Sequence, residues 1–279
     1  MVLKCIKRRF SNGHYPAFDA DGDSFSTKRY RGFRGSNWRG ADCNDSDATI
    51  YPGRKQNNHP NNQSVDHDCN GIYGTNPLTG ISWEETLCST TPRRGLIHIG
   101  DSMSAHFHIP PQWSTKNGWN LNNVLLDAAN ELCQPSCAWG TGYNNASRCP
   151  YSIGKRSNLG SITSRLRNRN LCNHRDLQNV AVNGAASNNG TELIESIARD
   201  QNLDHPAFVI YALAGKDVCN SHKGTSHMTT PQQFHDNVLR DLKVIYCQCI
   251  SVDVTTAICI IYLEAVSYTH LTLPTNREV

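Results

Sequence analysis

The chain has 279 residues, 38% hydrophobic and 18% charged, with a formal net charge of +3. That composition supports a buried core and excludes a disordered polar chain. The small charge excess, without a dense Lys/Arg block, excludes a nucleic-acid partner, and no apolar run is long enough to span a membrane.

The first ten residues, MVLKCIKRRF, lack the apolar centre of a signal peptide. Yet the chain has 12 cysteines, no CxxC pair, and N-x-S/T sequons at Asn44, Asn62, Asn145 and Asn189. These features fit an oxidising compartment. The expectation is a secreted or lysosomal (vesicular) protein whose native amino terminus lies upstream of Met1. Residues 13–75 are rich in Gly, Asp, Asn and Pro, with no helix or strand period, so something other than regular structure must hold them. Arg29, Arg31, Arg34 and Arg39 in this segment could meet anionic headgroups, but the first reading is a solvated surface.

From residue 95 the pattern changes. Leu96–Ile99 reads as a buried strand, and Leu121–Leu132 has helical apolar spacing. Leu177–Val182 is a second strand, Thr191–Arg199 a helix, and Ala207–Leu213 a third strand. Thr230-Pro231 opens a helix that runs to about Ile245, and Ile258–Leu263 is a fourth strand. Strand–helix alternation at this pitch predicts an α/β fold with a parallel sheet covered by helices. The expected division is a loop-rich segment over 1–90, the α/β domain over 91–265, and a tail over 266–279. That tail, VSYTHLTLPTNREV, has no core-facing pattern and reads as a non-native adapter joined to a truncated reading frame.

Asp19, Asp21 and Asp23 alternate along one turn, as do Asp66, Asp68 and Asn70 before Gly71. Asp42, Asn44, Asp45 and Asp47 lie between them. Hard cations take six to eight oxygens, and alternating Asp/Asn with main-chain carbonyls (Phe25 and Ile72 at the seventh positions) supplies them, so calcium is the expected cofactor. These loops are not EF-hands, because the twelfth positions are Tyr30 and Pro77 instead of Glu. The plain alternative is a set of Asx turns. The pattern DCNDxD, then Pro52-Gly53, then DxDCNG resembles a calcium-binding motif of secreted proteins, similar in style to thrombospondin type 3 repeats. In that reading a Cys43–Cys69 bridge closes the segment.

Ser102 follows the first strand in Gly100-Asp101-Ser102. A turn that opens a helix there would aim the Ser102 N–H at an oxyanion. Asn183-Gly184-Ala185-Ala186-Ser187 and Gly215-Lys216-Asp217 follow the next two strands. The three blocks in this order resemble the GDSL, or SGNH, hydrolase family. The calcium loop, the run Ala105 to Pro111 (AHFHIPP), Cys172-Asn173-His174-Arg175-Asp176, and Tyr211 with Gly215-x-Asp217-Val218-Cys219 narrow it. Over about Phe18 to Lys243 the chain is similar to the acyloxyacyl hydrolase family. The resemblance implies a truncated three-layer SGNH-like sheet behind a calcium-binding segment. It also implies a serine lipase that removes secondary acyl chains from lipopolysaccharide lipid A, with some action on phospholipids. Ser102 would be the nucleophile, and the N–H groups of Ser102 and Gly184 the oxyanion donors.

The chain departs from that family at three points. Lys216 stands where the family has an oxyanion-hole Asn, and losing one such donor costs about 10²–10³ in rate. The saposin-like lipid-binding subunit is absent. No Asp has His three residues on, so the family's DxxH pair has no counterpart. His106 and His174 are the candidates for a substitute base and are otherwise structural or substrate-contacting, and the native sequence is expected to continue past about residue 265. As written, the chain is expected to be inactive. The rival readings are a non-enzymatic, calcium-dependent extracellular binding protein and an SGNH carbohydrate esterase.

Overall fold

The structure, a computed structural model, describes residues 14–30, 33–56, 64–107, 133–143, 160–219 and 224–249. The expected helix Leu121–Leu132, strand Ile258–Leu263 and tail 266–279 lie outside these residues, as do Asn62, Asn145 and residues 108–111. The described chain is α/β. Strands β1 (Gly95–Gly100), β2 (Leu177–Asn179) and β3 (Ala207–Ala212) form a parallel sheet in the order β2-β1-β3. All six residues of β1 are buried, which is why its sequence, apart from His98, is apolar without alternation. β2 ends at Asn179 and not at Val182, although Val180 and Val182 still donate to the carbonyls of His98 and Gly100.

Five α-helices accompany the sheet among the described residues: α1 (Trp83–Cys88), α2 (Ile162–Arg169), α3 (Gly190–Glu195), α4 (Gly215–Val218) and α5 (Pro231–Cys249). Ile97, Ile99, Val180, Val209 and Tyr211 pack one sheet face against Leu193 and Ile194 of α3 and Val238 and Ile245 of α5. α5 begins where Thr230-Pro231 predicts. The Thr230 hydroxyl accepts from Gln233 N, and Gln233 Oε1 accepts from Thr230 N, a reciprocal cap of two otherwise orphaned donors. α3 stops four residues short of Arg199. There Ser196 Oγ donates to Leu193 O, and Ser196 O is taken by the Arg39 guanidinium, so the backbone is drawn out of the helix.

The opposite face carries His98, whose ring meets Trp139 edge-on at 4.6 Å. Ile162 and Thr163 donate to the carbonyls of Trp139 and Gly140, which anchors α2 on this side. The result is three layers. His98 is fully buried, neither ring nitrogen has a hydrogen-bond partner among the described residues, and burial lowers its pKa to about 3.

The loop-rich segment has no helix or strand among its described residues before α1, and it is held by other means. Gly40 N donates to Leu177 O, and Asn179 N donates to Trp38 O, so residues 38–40 run antiparallel along the outer edge of β2. Only glycine fits at position 40, since a Cβ there would overlap Arg175 O. Arg34 and Arg39 are not solvated as expected. Both are buried: Arg39 donates to the carbonyls of His14, Ser24 and Ser196, and Arg34 donates to Ala181 O while lying over the Trp38 ring. Burial first, then the neighbouring Arg34, lowers the Arg39 pKa to about 10. Disulfides Cys43–Cys69 and Cys88–Cys172 complete the restraint; the second ties α1 to the chain entering β2.

His98 yields a pH prediction. Its folded pKa lies below the ordinary value of 6.5, so the folded state binds fewer protons than the unfolded one between those values. Stability must therefore fall as pH drops from 6.5 toward 3. Substitution His98→Leu is expected to flatten that acid limb in urea titrations between pH 4 and 7. An unchanged slope would contradict the assignment.

Candidate active site

Parallel pairing makes all three strands end at one edge, with the central strand leading into Ser102. After Gly100 the chain makes a single helical turn. Ala105 N donates to Asp101 O, His106 N to Met103 O, and Phe107 N to Ser102 O, while His106 takes φ +53°. This is a helix ending with a left-handed residue, so the expected helix opened at Ser102 stops after one turn. His106 terminates it and does not share a helix face with Ser102. Asn179 holds the turn from below, donating from Nδ2 to Ser104 O and Thr141 Oγ1.

The neighbouring strand ends come to the same place. Asp101, buried beside Ser102, accepts from Met103 N at 3.0 Å and lies against the backbone of Gly215, where an added Cβ would come within 2.6 Å of its Oδ2. Burial pushes its carboxyl up, and backbone N–H groups hold it down. Asp217 in α4 accepts from Ser187 N at 2.8 Å and Ser187 Oγ at 2.6 Å, and Asn237 of α5 donates to that hydroxyl. The three blocks are thus bolted together by two buried carboxylates. Ser102 is half-buried and Gly184 is exposed. Neither N–H has an acceptor among the described residues. Gly184 has φ +84° with open space beside it, so its backbone conformation and not packing demands glycine. Lys216 is exposed in the first turn of α4.

The structure does not bring His174 to this edge. His174 lies three residues before β2 and Ser102 two residues after β1, so they flank opposite ends of a sheet about 20 Å long at ~3.3 Å per residue. Burial, then Arg167 and Arg175, lowers its pKa to about 4. Sequence reasoning missed the brace residues Asn179 and Ser187 and the role of Asp101. Only Asp101 carried a signal, its place in the GDS triplet.

The acidic loops gather differently from their order in the chain. Carboxylate oxygens of Asp19, Asp21 and Asp45 lie within 4.8 Å of one another, and so do those of Asp21, Asp23 and Asp42. Asp21 belongs to both groups, so the first two loops face one another. Many of their oxygens cap backbone N–H groups: Asp19 accepts from Gly22 and Ser24, Asp23 from Phe25, Asp42 from Asn44, and Asp45 from Ala20. Oδ2 of Asp21, Asp23 and Asp42 are buried without a partner among the described residues. Burial pushes Asp21 up, Asp23 to about 7 and Asp42 to about 6. Orphaned, desolvated carboxylate oxygens in an all-oxygen set fit a hard divalent cation. Asp47 lies outside both groups and accepts from Thr49. Asp66, Asp68 and Asn70 form a separate turn. Asp66 accepts from Asn70 and Gly71, Asn70 Oδ1 accepts from Ile72 N, and Asp68 meets Arg93 at 3.2 Å.

No protein-family model matches this chain. Curated relatives do. A protein named acyloxyacyl hydrolase from Oryctolagus cuniculus is 45% identical over 249 residues, 88% of this chain and 41% of the relative. Those from Mus musculus and Homo sapiens, of the same name, are 45% and 43% identical over 231 and 232 residues, covering 81% and 82% of this chain and 38% of each relative. Over this stretch the chain belongs to the acyloxyacyl hydrolase family. It spans about two-fifths of the length of the curated relatives it matches.

The brace yields a prediction. Replacing Asp217 with Ala strands the buried Ser187 N–H and hydroxyl, at about 1.5–3 kcal/mol per bond to a charged acceptor. Urea denaturation of Asp217→Ala is expected to show a loss of about 2–4 kcal/mol; a loss below about 0.5 kcal/mol would contradict the brace.

Proposed function

We propose that the chain carries the nucleophile and oxyanion half of a serine lipid acyl hydrolase. The convergence of Ser102, Gly184 and the Gly215–Asp217 turn at one end of a parallel sheet supports this reading above all. The Ser102 hydroxyl attacks the ester carbonyl, and the tetrahedral oxyanion takes the N–H groups of Ser102 and Gly184, dipoles that need no rearrangement. Lys216 is a poor substitute for a third, amide donor, because its charge sits on a long mobile stem. The substrate proposed, from the name of the relatives, is an acyloxyacyl ester such as the secondary acyl chains of lipopolysaccharide lipid A, with phospholipid esters second. The saposin-like subunit expected from the family resemblance would present that lipid. Two disulfides among the described residues support a secreted or vesicular location.

The proposed cofactor is calcium. Asp19, Asp21, Asp23, Asp42 and Asp45 would hold it, with Asn44 and the Phe25 carbonyl as the further ligands proposed from the sequence. Bound there, the ion supplies structural charge neutralisation and takes no part in ester chemistry. Asp66, Asp68, Asn70 and Ile72 are the weaker candidates, because Arg93 already supplies Asp68 with a cation. Ligand binding to the folded state alone stabilises by about 4 kcal/mol at 1,000 times Kd. Thermal melting in calcium against chelator is expected to separate by at least about 5 °C; coincident curves would remove the cofactor.

Catalysis also needs a base. His174 lies at the other end of the sheet, and His106 ends the turn. Without a base, turnover falls by about 10⁶. The purified 279-residue chain is therefore expected to hydrolyse a short-chain ester and acylated lipid A no faster than its Ser102→Ala variant. Turnover that vanishes in Ser102→Ala would show a base within the chain, His106 first.

A further inference from the structure

A cavity of about 430 Å³ lies at the other end of the sheet, where β2 begins. Arg29, Arg39, Arg167, Arg175 and His174 line it, together with Thr163 and Tyr143, and no Asp or Glu does among the described residues. Arg39 is committed to backbone carbonyls, and none of Arg29, Arg167 and Arg175 has a carboxylate partner among the described residues. The nearest acidic neighbour in sequence, Asp176, is committed to Arg199 at 2.6 and 3.0 Å. The carboxylate of Asp66 acts on His174 only weakly and is outside the lining. Thr163, 7% exposed, lines this cavity, and its buried hydroxyl makes no hydrogen bond among the described residues. The wall is also fixed: Arg175 is held at φ +66° with its carbonyl against Gly40, and the hydroxyl of Tyr143 donates to Ser36 O.

From these observations we infer that this cavity is an anion site for a phosphate group, remote from the acyl site at Ser102. Guanidinium forks match phosphate oxygens in geometry as well as charge. The Thr163 hydroxyl supplies a neutral donor. The cavity exceeds a bare phosphate, which leaves room along Leu177 and the Tyr143 ring for the organic part of a phosphomonoester. His174, crowded by two guanidiniums, gains a compensating negative neighbour when the site fills. The phosphate could belong to a lipid headgroup or be free in solution, and the experiment separates the two.

The 279-residue chain is titrated with inorganic phosphate by calorimetry. In a second arm it is sedimented with phosphatidylcholine vesicles containing or lacking phosphatidic acid. Arg167→Gln is expected to weaken binding about 10–100-fold, the worth of one charged hydrogen bond. Arg169→Gln, on the same helix turn but outside the lining, is expected to change it less than about twofold. Both arginines are exposed, so both variants should fold, and circular dichroism checks this. Binding to phosphate alone assigns a free anion; binding that requires phosphatidic acid assigns a lipid phosphate. No binding in either arm, or equal loss in the two variants, overturns the site. Ser102→Ala is expected to leave binding unchanged, so this result stands apart from the hydrolase reading.

Discussion

β1 hydrogen-bonds in the same direction to β2 on one side and β3 on the other, so every strand enters the sheet at one edge and leaves at the other. That shared direction gathers chemistry from positions 102, 184 and 216 that no local spacing could join. Open parallel sheets bind ligands beyond the carboxyl ends of their strands for this reason. Two buried carboxylates then stop the loops from drifting apart. Asp101 reaches the backbone of Gly215, and Asp217 the backbone and hydroxyl of Ser187. Each satisfies N–H groups that burial would otherwise leave unpaired at a cost.

The loop-rich segment depends on the same sheet. β2 is only three residues long, and its outer edge is completed by residues 38–40. Arg39 extends that join, donating to carbonyls from three separate parts of the chain. Removing the segment would expose the edge of β2 and unmake much of the surround of Asn179, whose side chain props the Ser102 turn. The clustered carboxylates of Asp21, Asp23 and Asp42 repel one another and are desolvated. A cation there would neutralise them, and Asp42 N donates to Ser26 O beside the residues that edge β2.

The strands were legible because residues buried on both sides must be apolar without alternation, and the start of α5 because Thr230, Pro231 and Gln233 act within one turn. The three strand-end blocks and the Cys43–Cys69 bridge were legible through resemblance. What escaped depends on tertiary contact. The Cys88–Cys172 bridge closes 84 residues and has no local mark. Arg34 and Arg39 look like surface in sequence, yet backbone carbonyls from distant segments bury them. The helix at Ser102 was overcalled because nothing local signals that His106 takes a left-handed conformation. The acidic loops showed their chemistry but not their grouping, since Asp21 joins both clusters only after the chain turns back on itself.

The central proposal is that Ser102 and its oxyanion donors are positioned for acyl transfer and that the family's DxxH base has no counterpart in this sequence. Imidazole supplied in solution tests this most directly, because a diffusible base can replace a missing histidine where the nucleophile is accessible, and Ser102 is half-exposed. The measurement is hydrolysis of a short-chain ester across an imidazole series, corrected for the rate in imidazole alone. A Ser102-dependent increment that grows with imidazole, and that is absent in Ser102→Ala, is the result predicted. A folded, calcium-loaded chain that adds nothing to the imidazole rate would contradict it.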